Sequence, residues 1–293
     1  MKMSIRLAIL LLIVGLNSAI GANAAQEAID RHAIAAGERV LYLDLEASTW
    51  RTRGRISFGI APALRLKLTS AGLGVTQDPA TPHDATLKVV YREERGKQIS
   101  VNSFGTDITC FVRLDDPEDE QALSLVIHES PSYTDLVNAP YVEVLEKLQA
   151  NPYFYFLGAI VRERMQTHVD TTGALIRALD LHFDRQLHPQ PVTHLDTLAS
   201  PGETFPDLDA LFSEAAEQNT VEELGRVKDS RAVDLLERLT SHANRLTRLR
   251  AVVALGQFDD PTIDPVMTRV AQADSDAAVR DAAVGVLTKR SAH

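Results

Sequence analysis

Thiols are almost missing from this chain. Its 293 residues hold one cysteine, Cys110, so no disulfide can form within the chain and stability has to come from packing. Positive charge is also scarce: 30 Lys and Arg stand against 40 Asp and Glu, a formal net charge of -10. Proteins bind a phosphate backbone largely by displacing its counterions with Lys and Arg, so nucleic acid drops out as a partner. The common catalytic signatures are missing as well. There is no G-x-S-x-G, no P-loop, no dinucleotide fingerprint and no H-E-x-x-H, and no residue is assigned a catalytic, cofactor-binding or metal-ligating role. The chain reads as a non-enzyme with no cofactor.

What is present begins with an address. Lys2 and Arg6 precede the apolar run 7–16 (LAILLLIVGL), which leads to Ala22-Asn23-Ala24. A charged stretch, a short apolar core and a small-x-small site form a secretory signal peptide, residues 1–24, cleaved after Ala24, with an uncleaved anchor as the alternative. The run falls short of the ~20 residues of a membrane span. No Cys follows it, which excludes a lipid anchor at this site. Export without disulfides suggests a bacterial periplasm, and cell-envelope proteins as partners.

Residues 25–187 read as an α+β domain, a small sheet with helices. The run 40–45 is a short apolar strand, and Pro62, Leu64, Leu68, Ala71 and Gly72 have the spacing and ends of a helix, while the alternation of Leu64, Leu66 and Leu68 leaves a strand as the other reading. Three period-2 runs follow, at 85–92, 106–114 and 122–128. In the second, Ile108, Cys110, Val112 and Leu114 alternate with Asp107, Thr109, Phe111 and Arg113, which points the first set at a core and makes Cys110 a buried small hydrophobe rather than a reactive thiol. The acidic run 115–120 lacks the Gly of a calcium loop and reads as a solvated hairpin tip. After a Pro-rich loop, the phrase Asp84-Ala85-Thr86-Leu87-Lys88-Val89 and the order of elements resemble small α/β domains of bacterial envelope assembly factors. No residue role follows from that likeness.

Residues 140–187 turn helical. Four of the chain's 16 aromatics fall at 153–156, and a helix apolar all round should be covered, either as a core helix on the sheet or by a partner in a groove. His182, His188 and His194 recur every six residues around Pro189 and Pro191. That is the wrong spacing for ligands on one helix, so the segment 188–206 is read as a linker and not a zinc site.

The C-terminal part, 207–293, repeats itself. Leu224-Gly225 returns as Leu255-Gly256 at an offset of 31, and Arg248 to Leu255 aligns with Arg280 to Leu287 at 32. A period near 30 with two helical halves marks an α-solenoid, whose helix pairs bury their apolar faces only by stacking. The Leu-Gly-x-x-x-Asp phrase and Val279-Arg280-x-Ala282-Ala283 resemble HEAT repeats, in particular the short bacterial kind also found in phycobilin lyases. The resemblance implies a short all-α HEAT-like solenoid of about two and a half units. It also implies an Asp-rich turn (Asp274, Asp276) that caps the next helix, and binding of other proteins. The earlier unit carries His242 and Asn244 at the turn, so weaker capping is expected there. So short an array should dock on the preceding domain or on a partner. Lyase chemistry does not transfer.

Two functions compete. The first is an exported, non-catalytic scaffold or accessory protein of the bacterial cell envelope that binds partners through the repeats. The alternative is an envelope hydrolase with a carboxylate site such as Glu93 and Glu94. Consecutive strand residues face opposite sides, which argues against the pair acting together.

Overall fold

A computed structural model describes residues 39–50, 59–101, 103–119, 123–131, 141–187 and 208–292. The segments read as a signal peptide and as a linker, the latter with His188 and His194, lie outside the described residues.

The first half is a five-stranded mixed sheet with helices on one face. Its strands are β1 (Val40–Thr49), β2 (Gly74–Thr76), β3 (Ala85–Ser100), β4 (Ser103–Asp115) and β5 (Leu123–Glu129), in the order β2-β1-β3-β4-β5. β1 runs parallel to β2 and β3, and β3, β4 and β5 pair antiparallel. A parallel neighbour needs a crossover, which helix α1 (Ile60–Ser70) provides between β1 and β2. Ile60, Leu64 and Leu68 are its buried face, and Gly72 closes it at φ 80°, a backbone that other residues adopt only under strain.

Period-2 alternation divides the sheet cleanly. Leu87, Val89 and Tyr91 on β3, Cys110, Val112 and Leu114 on β4, and Leu123, Leu125 and Ile127 on β5 are buried, while their sequence neighbours face outward. The helices that cover this face are α2 (Tyr141–Ala150), α3 (Pro152–Tyr155), α4 (Leu157–Thr167) and α5 (Thr171–Leu187). The aromatic segment is therefore not one helix. Asn151 caps the short α3 by accepting from the amides of Tyr153 and Phe154, and Phe156 ends it before α4 begins. Phe154 and Phe156 are buried between helices, and Tyr153 and Tyr155 are half-buried at the rim.

The acidic run is also not a solvated tip. Asp116 is buried and accepts from Arg39 at 3.2 Å, and Asp119 pairs with Arg164, itself buried on α4. Carboxylates that meet arginines distant in sequence fasten the end of the sheet to a helix, and local charge density cannot reveal that.

The second half is all helical: α6 (Leu208–Val227), a 3-10 turn at Ser230–Ala232, α7 (Val233–Leu239), α8 (Arg245–Leu255), α9 (Ile263–Ala273) and α10 (Ala277–Ser291). α6, α8 and α10 stack in a row, with α7 and α9 packed beside α8 and α10. This is the expected stack of two helix pairs preceded by one further helix.

Candidate interaction surface

The Leu-Gly phrase has a packing reason. A Cβ on Gly225 would lie 2.7 Å from Cα of Ala254, and one on Gly256 would lie 2.6 Å from a methyl of Val286. Each glycine thus lets the next helix of the row close in at one end. The leucine beside it, Leu224 or Leu255, is fully buried.

The turns carry the second half of the repeat signature. Asp276 accepts from the amides of Ala278 and Val279 at 2.9 and 3.3 Å, which satisfies two donors at the start of α10. Asp274 accepts from the amide of Asp276 at 2.8 Å and receives Arg248 of the preceding unit through two bonds, at 2.8 and 3.1 Å. The Arg248 hydrogen bonds hold the Asp274 carboxyl below its ordinary pKa. The earlier turn copies this with different groups. Asn244 caps α8 through Leu246 and Thr247 at 2.8 and 3.4 Å, and Nδ1 of His242 accepts from the amide of Asn244 at 3.1 Å. The weaker capping expected there is not visible in the geometry. What the earlier turn lacks is the carboxylate charge.

The array docks on the sheet half, one of the two arrangements its length implied. α6 packs on α2 and α3: Asn219 donates to the carbonyl of Ala150 at 2.8 Å, and the Tyr153 hydroxyl donates to Glu223 at 2.9 Å. Burial works to raise Glu223, but hydrogen bonds from Arg226 and Tyr153 outweigh it and leave its pKa below the usual value. Tyr153 is held well above its usual value by burial and by Glu223. His182 on α5 lies 2.6 Å from buried Glu217 on α6, and Phe183 meets the ring of His242 edge-on at 4.9 Å. Burial holds the pKa of His242 below its ordinary value. Arg231 bridges Asp229 to Asp170, and Arg238 reaches Asp180. Buried apolar side chains of both halves form one continuous cluster.

Beside this seam lies a groove of about 890 Å³ between α6 and α8, with Pro152 of α3 at one end. Leu246, Leu249 and Val253 supply an apolar floor, and Leu246 and Val253 are 38% and 48% exposed. Glu222 with Arg250 and Glu223 with Arg226 form ion pairs along it, and Lys228 adds a further cation. Exposed apolar positions rimmed by charge are the usual anatomy of a contact surface. Sequence reasoning missed it, although Leu246 and Val253, seven apart on one helix, were the available signal.

The other candidates are scattered. Glu93 is buried and accepts from the Tyr91 hydroxyl at 3.0 Å and from Thr49 at 2.9 Å, while Glu94 faces outward, as strand alternation requires. Cys110 is fully buried in the sheet core, and that burial pushes its thiol up to about 12. Among the described residues no three potential ligands gather into a metal site, and no helix is long and apolar enough to cross a membrane.

Comparison with known proteins places the repeats. Residues 208–288 match the family model for HEAT repeats. The C-terminal stretch is therefore a HEAT-like solenoid, on the sheet half's mixed α/β frame. No curated protein matches the chain. Two solved structures show partial likeness. The hypothetical protein CT253 from Chlamydia trachomatis is 9% identical, with a TM-score of 0.24, over 32% of this chain and 73% of that one. The lipoprotein GNA1162 from Neisseria meningitidis is 13% identical, with a TM-score of 0.26, over 44% of this chain and 99% of that one.

Proposed function

We propose that this chain is an exported, non-catalytic scaffold or accessory protein of the bacterial cell envelope, which holds partner proteins on its HEAT-like repeats. The observation that carries the reading is the α6/α8 groove, where Leu246 and Val253 stay accessible on α8 although Thr247, Ala251, Val252, Ala254 and Leu255 of the same helix are buried. Arrays of this kind build extended binding surfaces from stacked helices. The leader at residues 1–24 supports the location.

The test is a pull-down from crosslinked envelope fractions with the wild type and with Val253→Asp. One stoichiometric partner should be recovered by the wild type and lost with Val253→Asp. An outward control on α10, Asp281→Asn, should keep it. Recovery of the same partner by all three proteins rejects the groove. Turnover of general ester, peptide or glycoside substrates by the purified chain rejects the non-catalytic reading. Mass spectrometry of the mature protein should find its first residue at or beside Ala25, and an intact Met1 would rule out cleavage.

A further inference from the structure

The edge of the sheet, far from the repeat groove in the chain, carries an independent signal. β5 pairs with β4 on one side, and among the described residues nothing pairs with its other side. Proteins normally blunt such edges with Lys, Pro, a bulge or shortness, because an open row of amides and carbonyls recruits another strand. The opposite edge is short, since β2 spans three residues. β5 shows none of these devices. Its seven residues include no Lys, Arg or Pro, and its ladder to β4 runs without a register shift. It also ends an apolar row on the uncovered face. Val90 lies opposite Phe111 and Phe111 opposite Val126, and Phe111 and Val126 are 43% and 57% exposed.

We propose that this edge pairs with β5 of a second copy of the chain, antiparallel and centred on Val126, so that two sheets join into one. The strand is complementary to itself in that register. Val126 meets Val126 of the second copy, Leu125 meets Ile127, Ser124 meets His128, and Leu123 meets Glu129. Every pair joins residues on the same face, so the buried rows and the exposed apolar row both continue across the join. Because the centre is a residue, positions whose amides point outward meet positions of the same phase, and the ladder closes on both sides. The ionisable groups of β5, His128 and Glu129, meet Ser124 and Leu123, so no like charges oppose. An unrelated strand would have to supply this pattern. The chain already carries it.

Sedimentation of the full chain over a range of concentrations should show a monomer–dimer equilibrium. Val126→Lys sets two ammonium groups directly opposite at the dyad, and should weaken the dimer by on the order of tenfold or more. Val126→Thr, which keeps a β-branched side chain, should preserve it. Circular dichroism will show whether Val126→Lys still folds; if it does not, Ser124→Lys on the same exposed face replaces it. Position is read independently by crosslinking. Val126→Cys should form an intermolecular disulfide with itself under mild oxidation. Ser124→Cys alone should not, yet should crosslink when mixed with His128→Cys. A monomer at every concentration, a dimer indifferent to the lysine variants, or failure of Val126→Cys to crosslink overturns the proposal.

Discussion

The two halves of this molecule hold together by different rules. In the sheet half, the residues that matter to one another are distant in sequence: Arg39 reaches Asp116, and Lys67 on α1 donates to Gln149 on α2 at 2.7 Å. In the repeat half, each unit is tied chiefly to its neighbours, by a cap, by a glycine contact and by an arginine reaching one turn along, as from Arg248 to Asp274. The first arrangement should fail all at once. The second should fail from a defect outward.

The sharpest test of that contrast makes one change in each half. Leu64 and Leu255 are both fully buried, and truncation of such a leucine costs about 2–5 kcal/mol. Leu64→Ala should lower protection against limited proteolysis across the whole sheet half. Leu255→Ala should expose the chain after Gly256 while residues before Pro189 stay protected, because a solenoid's stability is a sum of unit and neighbour terms. Equal loss along the whole chain in both variants would break the comparison. The exposed Gln257→Ala should change almost nothing.

Close helix approach gives a second, smaller test. A Cβ on Gly158 would lie 2.0 Å from the carbonyl oxygen of Lys67, and one on Gly225 would lie 2.7 Å from Ala254. Overpacking of this kind costs about 1–3 kcal/mol. Gly158→Ala should broaden the thermal transition of the sheet half as α1 and α4 are forced apart. Gly225→Ala should loosen only the α6–α8 contact and the units beyond it.

Acid acts mainly on the repeat half and on its seam with the sheet half. The carboxyl of Asp274 is held low by Arg248, that of Asp229 by Arg231, that of Asp260 by Thr262 and that of Asp170 by the amide of Gly173. Each has a folded pKa below its unfolded one. The stability it contributes is therefore full above the unfolded carboxylate range, near pH 4, and is lost as pH falls through the lower folded value. Asp274→Asn should lower the repeat half's Tm at neutral pH and flatten its fall in acid. His242 adds a milder step of the same sign. Its pKa is lowered by burial, so stability is full above about 6.5 and declines as pH falls towards the folded value.

How much of this was legible in the sequence depends on whether the signal was local. Alternation located three strands and the buried Cys110, and self-similarity located the repeats. β2 was missed because Gly74-Val75-Thr76 is too short to show a period. The break at Phe156 was missed because an all-apolar stretch has no phase to lose. The acidic run was misread because Arg39 and Arg164, which bury its carboxylates, lie far away in the chain. The offset of 32 sets Val284 where Val252 stands, yet Val284 is 50% exposed while Val252 is fully buried. The alignment is sound, since the caps Asn244 and Asp276 are equivalent. α8 lies between α6 and α10, whereas among the described residues no further helix stacks beyond α10.

The smallest effect concerns the two caps, and it asks why the earlier unit keeps Asn244 where the later one has Asp276. Asn and Asp cap about equally well, and a carboxylate should add roughly 0.3–1 kcal/mol through the positive end of the helix dipole. By that measure Asn244→Asp should stabilise α8. The surroundings argue otherwise. The side-chain amide of Asn244 donates to Glu214 on α6 at 2.8 Å, so aspartate would lose this bond and set two carboxylates against each other. The gain and the loss are similar in size, and Asn244→Asp should shift stability by no more than a few tenths of a kcal/mol. Asn244→Ala, which removes the cap, should cost about 1 kcal/mol. Glu214→Gln then separates the two contributions. In that background the repulsion is gone, and Asn244→Asp should become stabilising in urea unfolding at neutral pH. If it is equally neutral in both backgrounds, Glu214 is not what keeps asparagine at this turn.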